Sequence, residues 1–230
     1  MNPISGILRA ASALSFYSRR QEVTANNLAN TNTAGFKADR LTAARLSDLS
    51  HPIPVEETDL TQGSLRVTGR PLDLALEGPG FLVVEAKGGE RLTRGGSLRL
   101  DGAGQLVADE GVPVLGEQGP IIVTGAEVTI DSDGAVSTDG RFLDRLRIVR
   151  PGEGAELLKE GAGRFRVAHG EIEATTEARV RQGQLEEANL DSVSGMISLV
   201  EIQRAYGAAA TALKTMDSVL GAVTTDVARV

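Results

Sequence analysis

Apolar residues recur at alternating steps of three and four near both ends of this chain, and at steps of two between them. In the last 32 residues, Leu199, Ile202, Tyr206, Ala209, Leu213, Met216, Leu220, Val223 and Val227 keep a heptad register, which is the pattern of a coiled-coil seam rather than of a generic core-facing stripe. In the first 28, Ile4, Ile7, Ala11, Leu14, Ala25 and Leu28 hold the same register, interrupted by Ser18 and Gln21. Two terminal helices are predicted, paired with each other as a coiled coil. The first runs from about Ile4 to about Ala29, with Asn2-Pro3 as cap and first-turn proline, and stops in an Asn/Thr cluster before Gly35.

From Phe36 to Gly69 the pattern is weak. His51-Pro52-Ile53-Pro54 favours extended backbone, and Gln62-Gly63 and Thr68-Gly69 mark bends, so an ordered but irregular connector is expected. From Pro71 the period becomes two. Leu72, Leu74 and Leu76 alternate with Asp73, Ala75 and Glu77, and Phe81, Val83 and Glu85 continue beyond Gly78-Pro79-Gly80. Lys87-Gly88-Gly89-Glu90, Asp101-Gly102-Ala103-Gly104 and Asp131-Ser132-Asp133-Gly134 separate short apolar alternations, as hairpin connections do. Leu98 with Leu100, Val128 with Ile130, and Leu146 with Ile148 supply inward faces.

The fold class is therefore mainly β with two terminal α-helices and a central all-β domain. Its expected boundaries are an N-terminal coiled-coil helix at 1–34, an extended connector at 35–70, the β-domain at 71–178, a return connector at 179–188 and a C-terminal coiled-coil helix at 189–230. Asn189 or Asp191 caps the second helix, with Glu186 and Glu187 just before its positive end.

The outer faces of these helices are unusual. Between Ala205 and Thr225 the only charges are Lys214 and Asp217, and residues 1–18 carry Arg9 alone. A two-helix hairpin needs one buried stripe and normally keeps Glu and Lys elsewhere to stay soluble. Small side chains on several faces admit more than one neighbour, so self-association is expected.

Composition narrows the chemistry. The 24 basic and 31 acidic residues give a net charge of -7 without a long run of either sign, which disfavours nucleic acid as a partner. Cysteine is absent, so disulfides, thiolate metal sites and a cysteine nucleophile are excluded together. The two histidines, His51 and His169, are too far apart in sequence to read as a metal motif. No cleaved signal is expected, because Arg9 interrupts the first apolar stretch. The alanine-rich window Tyr206 to Thr225 holds Lys214 and Asp217, so membrane insertion is not expected.

Candidate catalytic groups reduce to simpler readings. The adjacent acids Glu56-Glu57 and Glu186-Glu187 have no activating context and are expected to be solvated surface. Asp131-Ser132-Asp133-Gly134-Ala135-Val136 departs from a calcium loop at its fourth and fifth positions and reads as a turn. Gly152-Glu153-Gly154-Ala155-Glu156-Leu157 lacks the third glycine of a dinucleotide fingerprint. No enzyme activity, metal or cofactor is predicted.

Several stretches, in order, resemble one family. Ala25-Asn26-Asn27-Leu28-Ala29-Asn30-Thr31-Asn32-Thr33-Ala34-Gly35-Phe36-Lys37 is similar to the amino-terminal signature of the axial rod proteins of the bacterial flagellar basal body. Asp59-Leu60-Thr61-Gln62-Gly63-Ser64-Leu65, Thr68-Gly69-Arg70-Pro71-Leu72-Asp73-Leu74 and Thr93-Arg94-Gly95-Gly96-Ser97-Leu98 resemble the stretches by which these proteins enter their β-domain. Gly183-Gln184-Leu185-Glu186-Glu187-Ala188-Asn189-Leu190 and Gln203-Arg204-Ala205-Tyr206 resemble the carboxy-terminal signature.

The length fits the rod subunits with one β-domain. Gly119-Pro120-Ile121-Ile122-Val123 and Gly163-Arg164-Phe165-Arg166-Val167 look closer to the proximal subunit, whereas Gln203-Arg204-Ala205-Tyr206 is at home in the distal one. A non-flagellar structural or adhesion protein is the remaining alternative.

The resemblance implies a structural subunit of a hollow, torque-transmitting rod that spans the periplasm. Its implied partners are copies of itself, other rod subunits and the flagellar type III export apparatus. It implies an assembly interface at Asn26, Asn27, Leu28, Asn30, Gly35, Phe36, Leu199, Ile202, Tyr206, Ala209, Leu213, Met216, Leu220 and Val223. Within that set the asparagines are expected either to bond backbone at a subunit contact or to fix the turn into the connector.

Overall fold

In the computed structural model, residues 3–44 and 53–227 are described, with side chains for 6–42 and 54–221. Asn2 and His51 lie outside the described residues, and the side chains of Ile4, Val223 and Val227 outside the described side chains. The chain forms two compact units. One gathers 1–30, 38–59 and 190–230, and the other 31–37 and 60–189.

The first unit is built on helices α1 (Pro3–Ala29) and α2 (Ser192–Val227), about 40 and 54 Å long at 1.5 Å per residue. They run antiparallel: Gly195 on α2 faces the Leu28 side chain, and Gly6 on α1 faces the Met216 thioether. Asp191 caps α2, its carboxylate accepting the Ser194 N–H at 2.8 Å. The Ser194 hydroxyl and that N–H hold the Asp191 carboxyl below the usual carboxylate range.

The pairing departs from the predicted register on α1. Ile7, Leu14 and Leu28 are half-buried as expected, but Ala11 and Ala25 are exposed, and Gly6, Ala10, Ala13, Tyr17, Gln21 and Thr24 form a half-buried line that ends at Leu28. Small residues at Gly6, Ala10 and Ala13 let the helices approach closely, and Thr24 turns its hydroxyl onto the Arg20 carbonyl at 2.8 Å, which makes it compatible with a buried line. Val23, off that line, is buried as well, and α1 also meets a β-strand.

That strand belongs to a hairpin within the expected irregular connector. Asp39–Ala44 pairs antiparallel with Ile53–Thr58 from Asp39 opposite Thr58 to Ala44 opposite Ile53. The weak hydrophobic alternation hid it, since Glu56, Glu57 and Arg40 occupy strand positions and stay exposed.

The second unit is β-rich. A six-stranded antiparallel sheet has the spatial order Glu156–Gly161, Arg164–His169, Gly89–Thr93, Phe81–Ala86, Ile148–Pro151, Ile172–Ala174. A three-stranded sheet joins Val128–Ile130, Ala135–Thr138 and Arg141–Arg145. The three glycine-containing connections are the expected hairpins, joining Phe81–Ala86 to Gly89–Thr93, Arg99–Leu100 to Leu106–Val107, and Val128–Ile130 to Ala135–Thr138.

Strand Phe81–Ala86 has a core on each face. Leu82 and Val84 join Leu74, Leu76, Leu98 and Leu106 in one cluster, while Phe81 and Val83 join Leu92, Val149 and Phe165 in the other. Two-sided burial also overturns the simple alternation expected after Pro71, because Asp73 and Ala75 are buried along with Leu74 and Leu76.

The segment returning toward α2 is part of this unit. Arg179–Gln182 pairs with Leu74–Glu77, and Gln184–Glu186 pairs with Leu65–Val67.

Candidate assembly surfaces and the buried charge cluster

The asparagine cluster sits where α1 ends. Asn30 donates its N–H and its Nδ2 to the Asn26 carbonyl, at 3.2 and 2.9 Å, capping the last turn. Asn27 makes a reciprocal pair with one backbone position: Nδ2 donates to the Asp39 carbonyl at 2.8 Å, and Oδ1 accepts the Asp39 N–H at 3.0 Å. A side-chain amide here mimics a strand neighbour and fixes where the hairpin begins. Asn27→Ala is expected to leave both Asp39 backbone groups without these partners and to free the hairpin. Hydrogen exchange at Asp39–Thr42 checks this, and unchanged protection would show that the amide is dispensable.

On α2, Ile202 is buried, and Leu199, Ala209, Leu213 and Leu220 are half-buried. Tyr206 and Met216 remain exposed within the same heptad, so the α1 pairing covers the predicted seam incompletely. Further apolar residues lie uncovered elsewhere: Leu8 on α1, and Val193, Met196, Ile197, Val200 and Val219 on α2.

Gly35 and Phe36 belong to the β-rich unit. Gly35 has φ +68° and donates its N–H to the Glu186 carbonyl at 2.8 Å, and a Cβ there would stand 2.2 Å from the Arg94 carbonyl carbon. Only glycine fits that backbone and that approach. Phe36 is buried, with the Lys159 ammonium 4.4 Å from its ring centroid, while the same ammonium donates to the Lys37 carbonyl.

Next to them lies a buried cluster of charged side chains. Glu186 is not solvated surface: its side chain is fully buried, as is that of Lys37. Lys37 Nζ meets Glu186 Oε1 at 2.5 Å and donates to the Thr61 carbonyl at 2.7 Å. Arg94 Nη1 meets Glu186 Oε2 at 3.1 Å, and its two terminal nitrogens donate to the carbonyls of Leu76 and Gly78 at 2.9 and 2.6 Å. The Gly63 N–H completes the carboxylate's set at 2.9 Å.

Burial pulls the Arg94 pKa below its ordinary value, against the opposing pull of Glu186. Its guanidinium also stands 5.5 Å from the Phe81 ring centroid. One carboxylate thus joins residues 35–37, 60–65, 76–78 and 94 to the returning strand. The other acids expected at the surface are there: Glu187 pairs with Arg66, and Glu56 with Arg19.

Among the described residues no group of three or more His, Asp or Glu could hold a metal ion, and no helix is long and apolar enough to cross a membrane.

Comparison with known proteins gives matches along the chain. The family described as flagella basal body rod protein matches residues 7–37, the flagellar hook protein FlgE/F/G D1 domain matches 75–138, and the flagellar basal body rod FlgEFG protein C-terminal domain matches 181–226. The chain is 37% identical over 216 residues to the flagellar basal-body rod protein FlgF of Caulobacter vibrioides, covering 87% of each. It is 35% identical to FlgF of Escherichia coli, covering 94% of this chain and 95% of that one. It is 29% identical to the rod protein FlgG of Borreliella burgdorferi, covering 92% and 94%.

Proposed function

The chain belongs to the flagellar basal-body rod protein family, a structural family rather than an enzymatic one, and from that premise we propose that it is the proximal rod subunit. Identities of 37% and 35% to two FlgF relatives, against 29% to a FlgG relative, support the proximal position over the distal one that Gln203-Arg204-Ala205-Tyr206 evokes. As a rod subunit it works by assembly with other rod proteins. In this reading it reaches the periplasm unfolded, through the flagellar type III export apparatus, without a cleaved signal. There it packs α1 and α2 against copies of itself and neighbouring rod subunits to make a hollow shaft that carries torque.

The observation that carries this reading is the uncovered apolar surface of the helix pair. Tyr206, Met216, Val219 and Leu8 stay exposed even though α1 and α2 already face each other, and such a surface is costly unless neighbours cover it. Asn26, Asn27, Leu28, Asn30, Gly35, Phe36, the α2 heptad and the backbone around Val223 are the residues we assign to assembly, either in contacts or in holding the contacting segments. Deleting the chain and imaging basal bodies directly tests the position. Rods that stop close to the export gate are expected, and rods of full length lacking only their outer part would place the chain distally.

A further inference from the structure

Resting on the reading that Gly35 and Phe36 serve assembly, we propose that Lys37, Arg94 and Glu186 form a latch that closes last as the subunit folds. Its buried charges hold residues 35–37 open until the returning strand has docked, so only a completely folded subunit presents that segment to the rod. Glu186 and Lys37 are each 1% exposed and Arg94 5%, and the one carboxylate meets both cations. Burying the carboxylate before the cations arrive, or the guanidinium before the carboxylate, removes a charge from water without giving it a counter-charge. These groups therefore leave water together.

That step joins segments far apart in the chain. Glu186 stands 149 residues from Lys37 and 92 from Arg94, and closing such loops is slow compared with closing a hairpin. The cores have nearer partners. Phe81–Ala86 pairs with Gly89–Thr93 across Lys87-Gly88, and Glu156–Gly161 with Arg164–His169 across Ala162-Gly163. These two hairpins supply Phe81, Val83, Leu92 and Phe165 to one core. Phe36 and Leu185, buried on the segments that the latch fastens, belong to neither core cluster. The cores thus form without the latch, and the layer of 35–37 against 184–186 is added to them.

Backbone bonds on both sides of the carboxylate follow its docking. Gly35 donates its N–H to the Glu186 carbonyl at 2.8 Å, Asn189 to the Phe36 carbonyl at 3.3 Å, and Glu187 to the Ser64 carbonyl at 2.8 Å. The Gly63 N–H binds the carboxylate itself. In a chain that leaves the export apparatus unfolded, this set cannot close until residues 37 and 186 are both outside, whichever end leads.

Pulsed hydrogen exchange during refolding of the full chain reads the order. The Gly35 and Gly63 amides are expected to gain protection at least about tenfold later than those of Phe81–Ala86. Simultaneous or earlier protection would overturn the proposal. In the variant Lys37→Met, Arg94→Met, Glu186→Leu no charge waits for its partner, and the Gly35 amide should be protected together with that strand. A delay that persisted there would come from loop closure rather than from charge, and would overturn the proposal too. Glu186→Gln tests the consequence for assembly. Protection of Phe81–Ala86 should arise at the wild-type rate, Gly35 and Gly63 should stay unprotected, and the variant should be missing from purified basal bodies. Normal occupancy would show that assembly does not wait for the latch, and an unprotected Phe81–Ala86 strand would show that the core depends on it. Either result overturns the proposal and leaves the rod reading intact. Absence of the unsubstituted chain from basal bodies would overturn both.

Discussion

Leu213→Asp is expected to remove this chain from the rod while leaving its β-rich unit folded. Leu213 lies in the α2 heptad, half-buried in the isolated chain, and the neighbours implied by the exposed Tyr206, Met216 and Val219 would cover it further. A carboxylate there has no cation assigned to it and must be dehydrated on assembly, at a cost of several kcal/mol for an unpaired charge. In the free chain it can still reach water. The β-rich unit has its own cores, built from residues 74–180 and from the Phe81 and Phe165 cluster, and none of them includes α2.

The measurement has two arms: rod occupancy of the variant in purified basal bodies, and hydrogen-exchange protection of the strand Phe81–Ala86. Occupancy should collapse, at least tenfold for a loss beyond about 1.4 kcal/mol, with protection unchanged. Normal occupancy would mean that the heptad serves only the pairing of α1 with α2.

Much of the fold was legible because its causes are local. Period-three-and-four spacing marked both helices, and glycine-bearing turns marked three hairpins, since one segment's own backbone demands those residues. What escaped depends on partners far along the chain. The α1 register is set by small residues at Gly6, Ala10 and Ala13, not by the heptad spacing that favoured Ala11 and Ala25. Asn27 showed itself as one of several asparagines in a signature, but its partner, the Asp39 backbone, became visible only with the hairpin.

Glu186 is the clearest case. It sits in a Glu-Glu dipeptide whose second member is exposed and paired with Arg66, while its own partners stand 149 and 92 residues upstream. No short-range pattern distinguishes the two acids. The one available signal was the presence of Lys37 and Arg94 in separate signature stretches, two cations whose chemistry calls for a shared anion if both are buried.

That shared anion carries the second large effect. Glu186→Ala is expected to lower the stability of the β-rich unit by about 3–5 kcal/mol, the usual cost of removing one partner from a buried ion cluster. Lys37 and Arg94 would both be left in the interior, and the Gly63 N–H would lose its acceptor. Against a typical domain stability of about 5–15 kcal/mol, this is enough to populate an open form in which the strands Leu65–Val67 and Leu74–Glu77 exchange freely. The triple variant Lys37→Met, Arg94→Met, Glu186→Leu should recover much of the loss, because it removes the stranded charges together with the carboxylate. Denaturant midpoints of the full chain decide the matter. If Glu186→Ala unfolds at the wild-type midpoint, the cluster is not what joins the N-terminal signature to the returning strand. If the triple variant is less stable than Glu186→Ala, the ions contribute directional bonds that apolar packing cannot replace, and the carbonyls of Thr61, Leu76 and Gly78, which Lys37 and Arg94 now satisfy, are the groups that suffer.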